Sequence, residues 1–413
     1  MSNPSAKSSI SGSKPVGKPT VALTIGVIAL LITSIGFFMY PKEVASSWLL
    51  ASAYSTAIGL GLLLMVMLHH IFDAGWSTVI RRTLEHSLAI FPWLALFFLP
   101  LIILSYFEPS LIWKWMDPHF DLSTIGGHGT VGSDILYVKK SALLNFPTFV
   151  IIYLVSFVSW IWLSSRFRKA SFTQDEDGSG AHTTTCRKMA ALGIPVVAFS
   201  STLIACLWLK SLDYHWFSTM YGVWFFTGAM RAALATIALI CIFLSRNALK
   251  GLFLRSHMLQ LGNMMLAFTV FWAYISFSQY FLIWNANIPE ETFWYVIREH
   301  GNWRYVGYTL IFAHFFFPLF FLLGHRNKLI KGRMIFICVW VLLTQLLDFY
   351  YNILPYKKDG EGNPFEFGVS VWDVTALIGI GGICIWAFLR SFNKTRPIPI
   401  RDPRILESLN YHE

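Results

Sequence analysis

The sequence predicts an all-α polytopic membrane protein of about ten transmembrane helices, and three observations carry that prediction. Ten apolar segments run through the chain, at roughly 20–40, 46–72, 84–106, 141–164, 189–210, 217–245, 256–284, 302–324, 333–354 and 369–391. Each is long enough to cross a hydrocarbon core of ~30 Å, which takes ~20 residues. The basic residues between them alternate. The N-terminal tail, the even-numbered loops and the C-terminal tail hold 22 of the 32 Lys+Arg, the odd-numbered loops hold nine, and Arg231 lies inside a segment. By the positive-inside rule both termini are expected in the cytoplasm, with the chain in a bacterial inner membrane. The composition agrees at 55% hydrophobic, 17% aromatic and 13% charged, because aromatic residues gather at membrane interfaces.

Topology also accounts for the net charge of +10. No basic stripe with interleaved stacking aromatics occurs, which argues against nucleic acid as a partner. Of the five cysteines, Cys206, Cys241, Cys338 and Cys384 fall in predicted spans and Cys186 in a cytoplasmic loop, so no disulfide framework is expected. The absence of CxxC and CxxCH argues against a ferredoxin-type cluster or covalent haem c on this chain.

Three regions follow in order. Residues 1–19, MSNPSAKSSISGSKPVGKP, form a polar tail expected to be disordered and cytoplasmic. It lacks the apolar core of a cleavable signal peptide, so the first span is the expected insertion signal. Residues 20–395 form one membrane domain, and 396–413 a cytoplasmic C-terminal tail. The outer loop Phe107–Lys140, dense in Gly, Asp and His, reads equally as an ordered cap or a plain connector. The inner loop Ser165–Lys188 reads as solvated and flexible. In the outer loop Asn285–Arg304, Pro289 followed by Glu290 and Glu291 marks the start of a short interfacial helix.

A charge at mid-span costs at least ~2.5–3.5 kcal/mol, so ionisable residues there should face other helices or water. Arg231, in FFTGAMRAALA, is near the centre of the sixth span. His314, in IFAHFFFPLF, lies at similar depth in the eighth. Asp348, in TQLLDFYYN, is in the ninth with Gln345 three residues earlier, and Asp373 opens the tenth. Two readings stand side by side: a buried Arg231–Asp348 ion pair that fixes packing, or a polar column through which protons move. At the inner end of the second span, His69 and His70 precede Asp73 by four and three residues, placing a histidine and a carboxylate on one helix face. Glu85 and His86 begin the next span at the same level. This cluster reads as a polar rim or as a proton entrance, histidine being the residue that titrates near neutrality. Haem b would need two histidines at matched depth. His314 alone is at mid-span, and nothing in the spacing of the others requires a pair. Two stretches, Trp216–Ala229 and Phe271–Trp284, mix small and hydroxylic residues with aromatics. Ser276, Ser278, Gln279 and Tyr280 would give a polar lining suited to a quinone headgroup, or to ordinary helix packing.

The runs HWFSTMYGVWFFTGA, AYISFSQYFLIWNANIPEETFWY and HFFFPLFFLLGHRNK, with the count of ten spans, resemble one family. It is the F-type membrane subunit of alternative complex III, a bacterial quinol:cytochrome c or electron acceptor oxidoreductase. That subunit is distantly related to the NrfD/polysulfide-reductase membrane anchors. The resemblance covers about residues 20–395. It implies two four-helix bundles, spans 2–5 and 6–9, with spans 1 and 10 peripheral. It also implies quinol oxidation, commonly of menaquinol, with electrons passed to periplasmic partners that hold haem c and iron–sulfur clusters. A homologous ten-span subunit would stand beside this one and hold the principal quinol site. This chain would carry no redox cofactor of its own. Its proton-relay candidates would be His70, Arg231, His314, Asp348 and Asp373. The alternative from the residues alone is a stand-alone secondary transporter with Arg231 and Asp348 as its coupling site. Such proteins often break helices at the midplane in both halves, and Pro318 has no clear counterpart in the first bundle.

Overall fold

The computed structural model describes residues 16–358 and 364–411. Ten helices in it are long and apolar enough to cross a membrane. They are α1 (Pro19–Met39), α2 (Pro41–Ile71), α3 (Gly75–Phe107), α4 (Phe146–Asp177), α5 (Ala181–Asp213), α6 (Tyr221–Leu244), α7 (Arg255–Ala286), α8 (Trp303–Leu323), α9 (Lys331–Tyr356) and α10 (Val371–Phe392). No strand occurs among the described residues, only isolated bridges such as Asp121 with Thr130. The expected disordered tail falls mostly on residues 1–15, outside the described residues. Val16 is buried and exchanges hydrogen bonds with the Asn393 side chain.

Local chemistry sets the helix ends. Pro19 and Pro41 open α1 and α2, where a missing N–H costs nothing. Asn145 caps α4 by accepting from Thr148 N at 2.8 Å. Ser370 and Asp373 form a capping box on α10. Gly178, at φ 72°, ends α4 in the left-handed region that glycine adopts without strain.

α2 to α5 pack as one four-helix bundle and α6 to α9 as a second. α2 and α6, the most deeply buried helices, lie against each other at the junction. Their approach depends on Gly61: a Cβ there would overlap the Ala229 carbonyl and sit 2.6 Å from Ala233 Cβ. α1 and α10 pair through Gly26, Gly379 and Gly382 and pack on the outside of the first bundle. Both are broadly exposed on the other side, with an apolar groove of about 520 Å³ between them.

The face that carries both described chain ends is here the termini face, and the opposite one the far face. The inner loop expected to be solvated is instead helical. α4 runs to Asp177, α5 begins at Ala181, and Phe167, Ser171, Gln174 and Asp175 are buried on one side of α4. Those positions recur every three or four residues, so this polar end keeps a helix-facing stripe. The segment after α10 is no free tail either. Asp402 and Ser408 are buried beneath α3, where Ser408 accepts from Val79 N at 3.2 Å. On the far face, 107–145 folds as a cap with Trp113 and Trp115 buried. Their indoles donate to Trp208 O (3.1 Å) and Ser211 Oγ (3.0 Å). The helix expected after Pro289 spans Pro289–Glu299. Prolines also lie inside continuous helices of the first bundle, Pro100 in α3 and Pro195 in α5. α4, the span matched in order to α8, has no internal proline.

Candidate functional site

Arg231 is fully buried on α6, on a stretch of small residues that lets neighbouring helices close around it. Its guanidinium needs acceptors, and α8 supplies both. Nη1 lies 2.5 Å from His314 Nε2, and Nη2 donates to His314 O at 2.6 Å. Since arginine only donates, Nε2 must accept, which puts the imidazole proton on Nδ1. His314 Nδ1 and Arg231 Nε have no hydrogen-bond partner among the described residues.

The carbonyl is free because of the chain's own sequence. In an α-helix His314 O would accept from residue 318, which is Pro318 and has no N–H. Leu310–Phe316 is π-helical, and Phe317 N–H bonds Phe312 O. That shift also strands Ala313 O, which accepts from Trp340 Nε1 at 2.7 Å. Two neighbouring carbonyls are thus released by one proline and one register shift, and each is met by a side chain. Such π segments concentrate at functional sites.

Asp348 is buried on α9 and surrounded by N–H donors. Oδ2 accepts from Trp272 Nε1 (3.0 Å), Trp224 Nε1 (3.1 Å) and Gln345 Nε2 (3.1 Å), and Oδ1 from Asn352 Nδ2 (3.3 Å). Arg231 and Asp348 form no ion pair among the described residues, so the first of the two sequence readings, the packing pair, is not formed. Trp272 connects them instead. Its N–H serves Asp348, and its ring meets His314 edge to face, with centroids 4.2 Å apart. The line Arg231–His314–Trp272–Asp348 lies wholly within the second bundle.

The other expected relay residues stand apart from this line. Asp373 is a cap, accepting from Ser47 Oγ at 2.6 Å and Ser370 N at 2.8 Å. His70 stacks on Phe167 at the termini end of α2, its Nε2 unpartnered. Asp73 does not share its helix face, as sequence spacing suggested. α2 ends at Ile71, Asp73 takes φ 51°, and its carboxylate pairs with Arg187 (2.9 Å) and Arg404 (2.7 Å). His69 bonds Ser77 Oγ at 2.7 Å, and His86 bonds Ser391 Oγ at 2.9 Å. Glu85 joins a buried ion cluster: Arg81 Nε at 3.0 Å, Arg82 Nε at 3.1 Å and Ser171 Oγ at 2.6 Å. Arg82 also meets Asp175 at 2.7 Å, and Arg81 meets Asp402.

The quinone candidates share α7 but not one role. Gln279 holds Ser218 Oγ (2.6 Å) and Tyr295 OH (3.1 Å). Ser278 Oγ folds back to Tyr274 O at 2.6 Å. Ser276 Oγ is unpartnered, and Tyr280 is exposed beside Trp284 and Tyr295. Sequence reading overlooked Trp224, Trp272 and Trp340, whose indole N–H groups hold the site. The one available signal was Pro318, four residues after a mid-span histidine.

Fold and site together define a multi-pass α-helical membrane protein with a buried polar line in its second bundle. No model of a known protein family matches the chain, and no curated protein matches it.

Proposed function

We propose that this chain is an integral membrane subunit of a quinol-oxidising respiratory complex of the alternative complex III type. It lies in the inner membrane with the termini face cytoplasmic. It supports electron transfer from quinol to cytochrome c or another acceptor, and its redox groups are carried by partner subunits. Its own contribution is a proton route that uses Asp348 and His314 as the exchanging groups, with Trp272 holding the carboxylate and Arg231 holding the imidazole. The observation that carries this reading is the line of buried polar groups itself, with His314 Nδ1 and Arg231 Nε open for hydrogen bonding. Intramembrane ionisable groups of this kind mark ion and proton paths. The family resemblance of three long sequence runs supplies the complex. A quinone headgroup would dock at the far end of α7 beside the exposed Tyr280 and the half-buried Gln279, with Ser276 and Ser278 on the same helix.

The test is to pull tagged chain from native membranes in mild detergent and record its absorption spectrum. Co-purification with c-type haem bands and several subunits is the expected result. A colourless protein purified alone, from membranes that oxidise quinol normally, overturns it. Within an intact complex, Asp348→Asn and His314→Ala should each lower quinol-driven proton release. Normal release in both removes the route.

One observation favours a second reading, a secondary transporter. α8 is broken by Pro318 and a π segment beside Arg231, and discontinuous helices form coupling sites in that class. Substrate-dependent proton or sodium uptake by the lone chain in vesicles would establish it.

A further inference from the structure

A cavity of about 460 Å³ opens on the far face, where the 107–145 cap, the α5–α6 connection, the helix Pro289–Glu299 and the chain after α9 converge. Leu122, Ile125, Leu136 and Phe293 make its apolar lining, and exposed Gly126 and Glu290 stand at its edge. Its charged lining is Lys114, Lys358, Asp213 and Glu290.

The charges there are not all paired. Asp213 is engaged by Lys358, whose Nζ lies 3.1 and 3.2 Å from its two oxygens. Lys114 is buried, and among the described residues the one partner of its Nζ is a carbonyl, Tyr356 O at 3.2 Å. Arg298, buried but outside the lining, donates to the carbonyls of Tyr351, Trp294 and Asn352. Among the described residues no acidic group pairs with Lys114, and the cavity's second carboxylate, Glu290, is exposed at the mouth. A buried ammonium without a counter-charge is costly, and a positive cleft with low-dielectric walls concentrates anions.

We propose that this cavity binds an anion, a carboxylate or phosphate on a small apolar body, with Lys114 Nζ as its principal donor. Lys358, paired with Asp213, and His215, bonded to Asp134, add polar surface beside it, and the aliphatic and Phe293 walls take the apolar part. The volume is that of a small-molecule site. Burial first, then Lys358 and Lys42 against the single opposing Asp213, pushes the Lys114 ammonium down to about 8, the shift that a bound anion reverses. The anion is either free in solution or a carboxylate on a partner protein. The site stands independently of the respiratory reading.

The experiment is calorimetric titration of the full-length chain in detergent with benzoate, its neutral analogue benzamide, and inorganic phosphate. Benzoate should bind the wild type at least ten-fold more tightly than Lys114→Met, and benzamide should bind neither. Leu136→Glu, which places a carboxylate in the same space, should abolish benzoate binding and raise the Tm. Equal benzoate affinity in wild type and Lys114→Met, equal binding of benzamide, or no binding of benzoate and phosphate overturns the proposal. Retained benzoate binding in Leu136→Glu overturns it even where Lys114→Met fails to fold. Chain purified within its native assembly separates the sources. Loss of benzoate binding there identifies a partner's carboxylate, and binding in both preparations identifies a free anion.

Discussion

Arg231 occupies a depth where a bare charge is costly, yet its ligands are an imidazole and a carbonyl rather than a carboxylate. Asp348 likewise meets indole and amide N–H groups rather than a cation. Each charge is solvated by neutral dipoles, an arrangement that lets a proton arrive or leave without breaking an ion pair. Double-mutant cycles should therefore give a coupling of ~1–3 kcal/mol for Arg231 with His314 and a smaller one for Arg231 with Asp348. A larger coupling in the second cycle would mean that the two charges pair directly. Trp272→Phe keeps the ring against His314 and removes the donor to Asp348, which should cost ~1.5–3 kcal/mol in thermal or denaturant unfolding. Arg231, His314 and Asp348 were legible in the sequence because any ionisable group inside an apolar run is anomalous. Trp224 and Trp272 were not. In a chain with 17 tryptophans, nothing local separates an indole that holds a carboxylate from one that faces lipid.

Helix α8 is the element on which the site turns. The proline and the π segment together expose the backbone acceptor that Arg231 uses. Pro318→Ala restores an N–H to residue 318 and offers His314 O its ordinary helical partner. The expected outcome is unchanged or higher thermal stability with lower proton release. Full activity in Pro318→Ala would show that the guanidinium does not depend on that carbonyl. The ten spans were legible from apolar length alone, and Pro289 announced its helix. The π register was not, because a one-residue slip in hydrogen bonding leaves the hydropathy pattern intact. The helical ends of α4 and α5 were hidden for a related reason. Their charges read as solvated until three-dimensional packing shows Asp175 turned towards Arg82.

At the scale of the molecule, both surfaces of the bundles are closed by segments that hydropathy describes only as loops. On the far face the cap buries Lys114. Because its folded value lies near 8 against 10.5 for an unperturbed lysine, the unfolded chain holds that proton more tightly between these limits. Stability should then rise as pH moves from about 8 towards 10.5. Lys114→Met should be the more stable form at pH 7, by on the order of 2 kcal/mol, and lose that advantage by pH 10. An advantage independent of pH would assign the effect to packing. On the termini face the segment after α10 supplies Asp402 to Arg81. Asp402→Ala should cost about 3 kcal/mol, because it removes one partner from a buried pair. Thermal unfolding indistinguishable from wild type would place Asp402 outside the stabilising cluster. That pair spans 321 positions of sequence, which has a meaning for biosynthesis. At ~5–20 residues per second, a ribosome makes Arg81 tens of seconds before the carboxylate that completes its surroundings. Throughout that interval α3 must wait in the bilayer with an arginine short of its partner. A prematurely terminated chain would therefore keep an unfinished surface that membrane quality control can recognise.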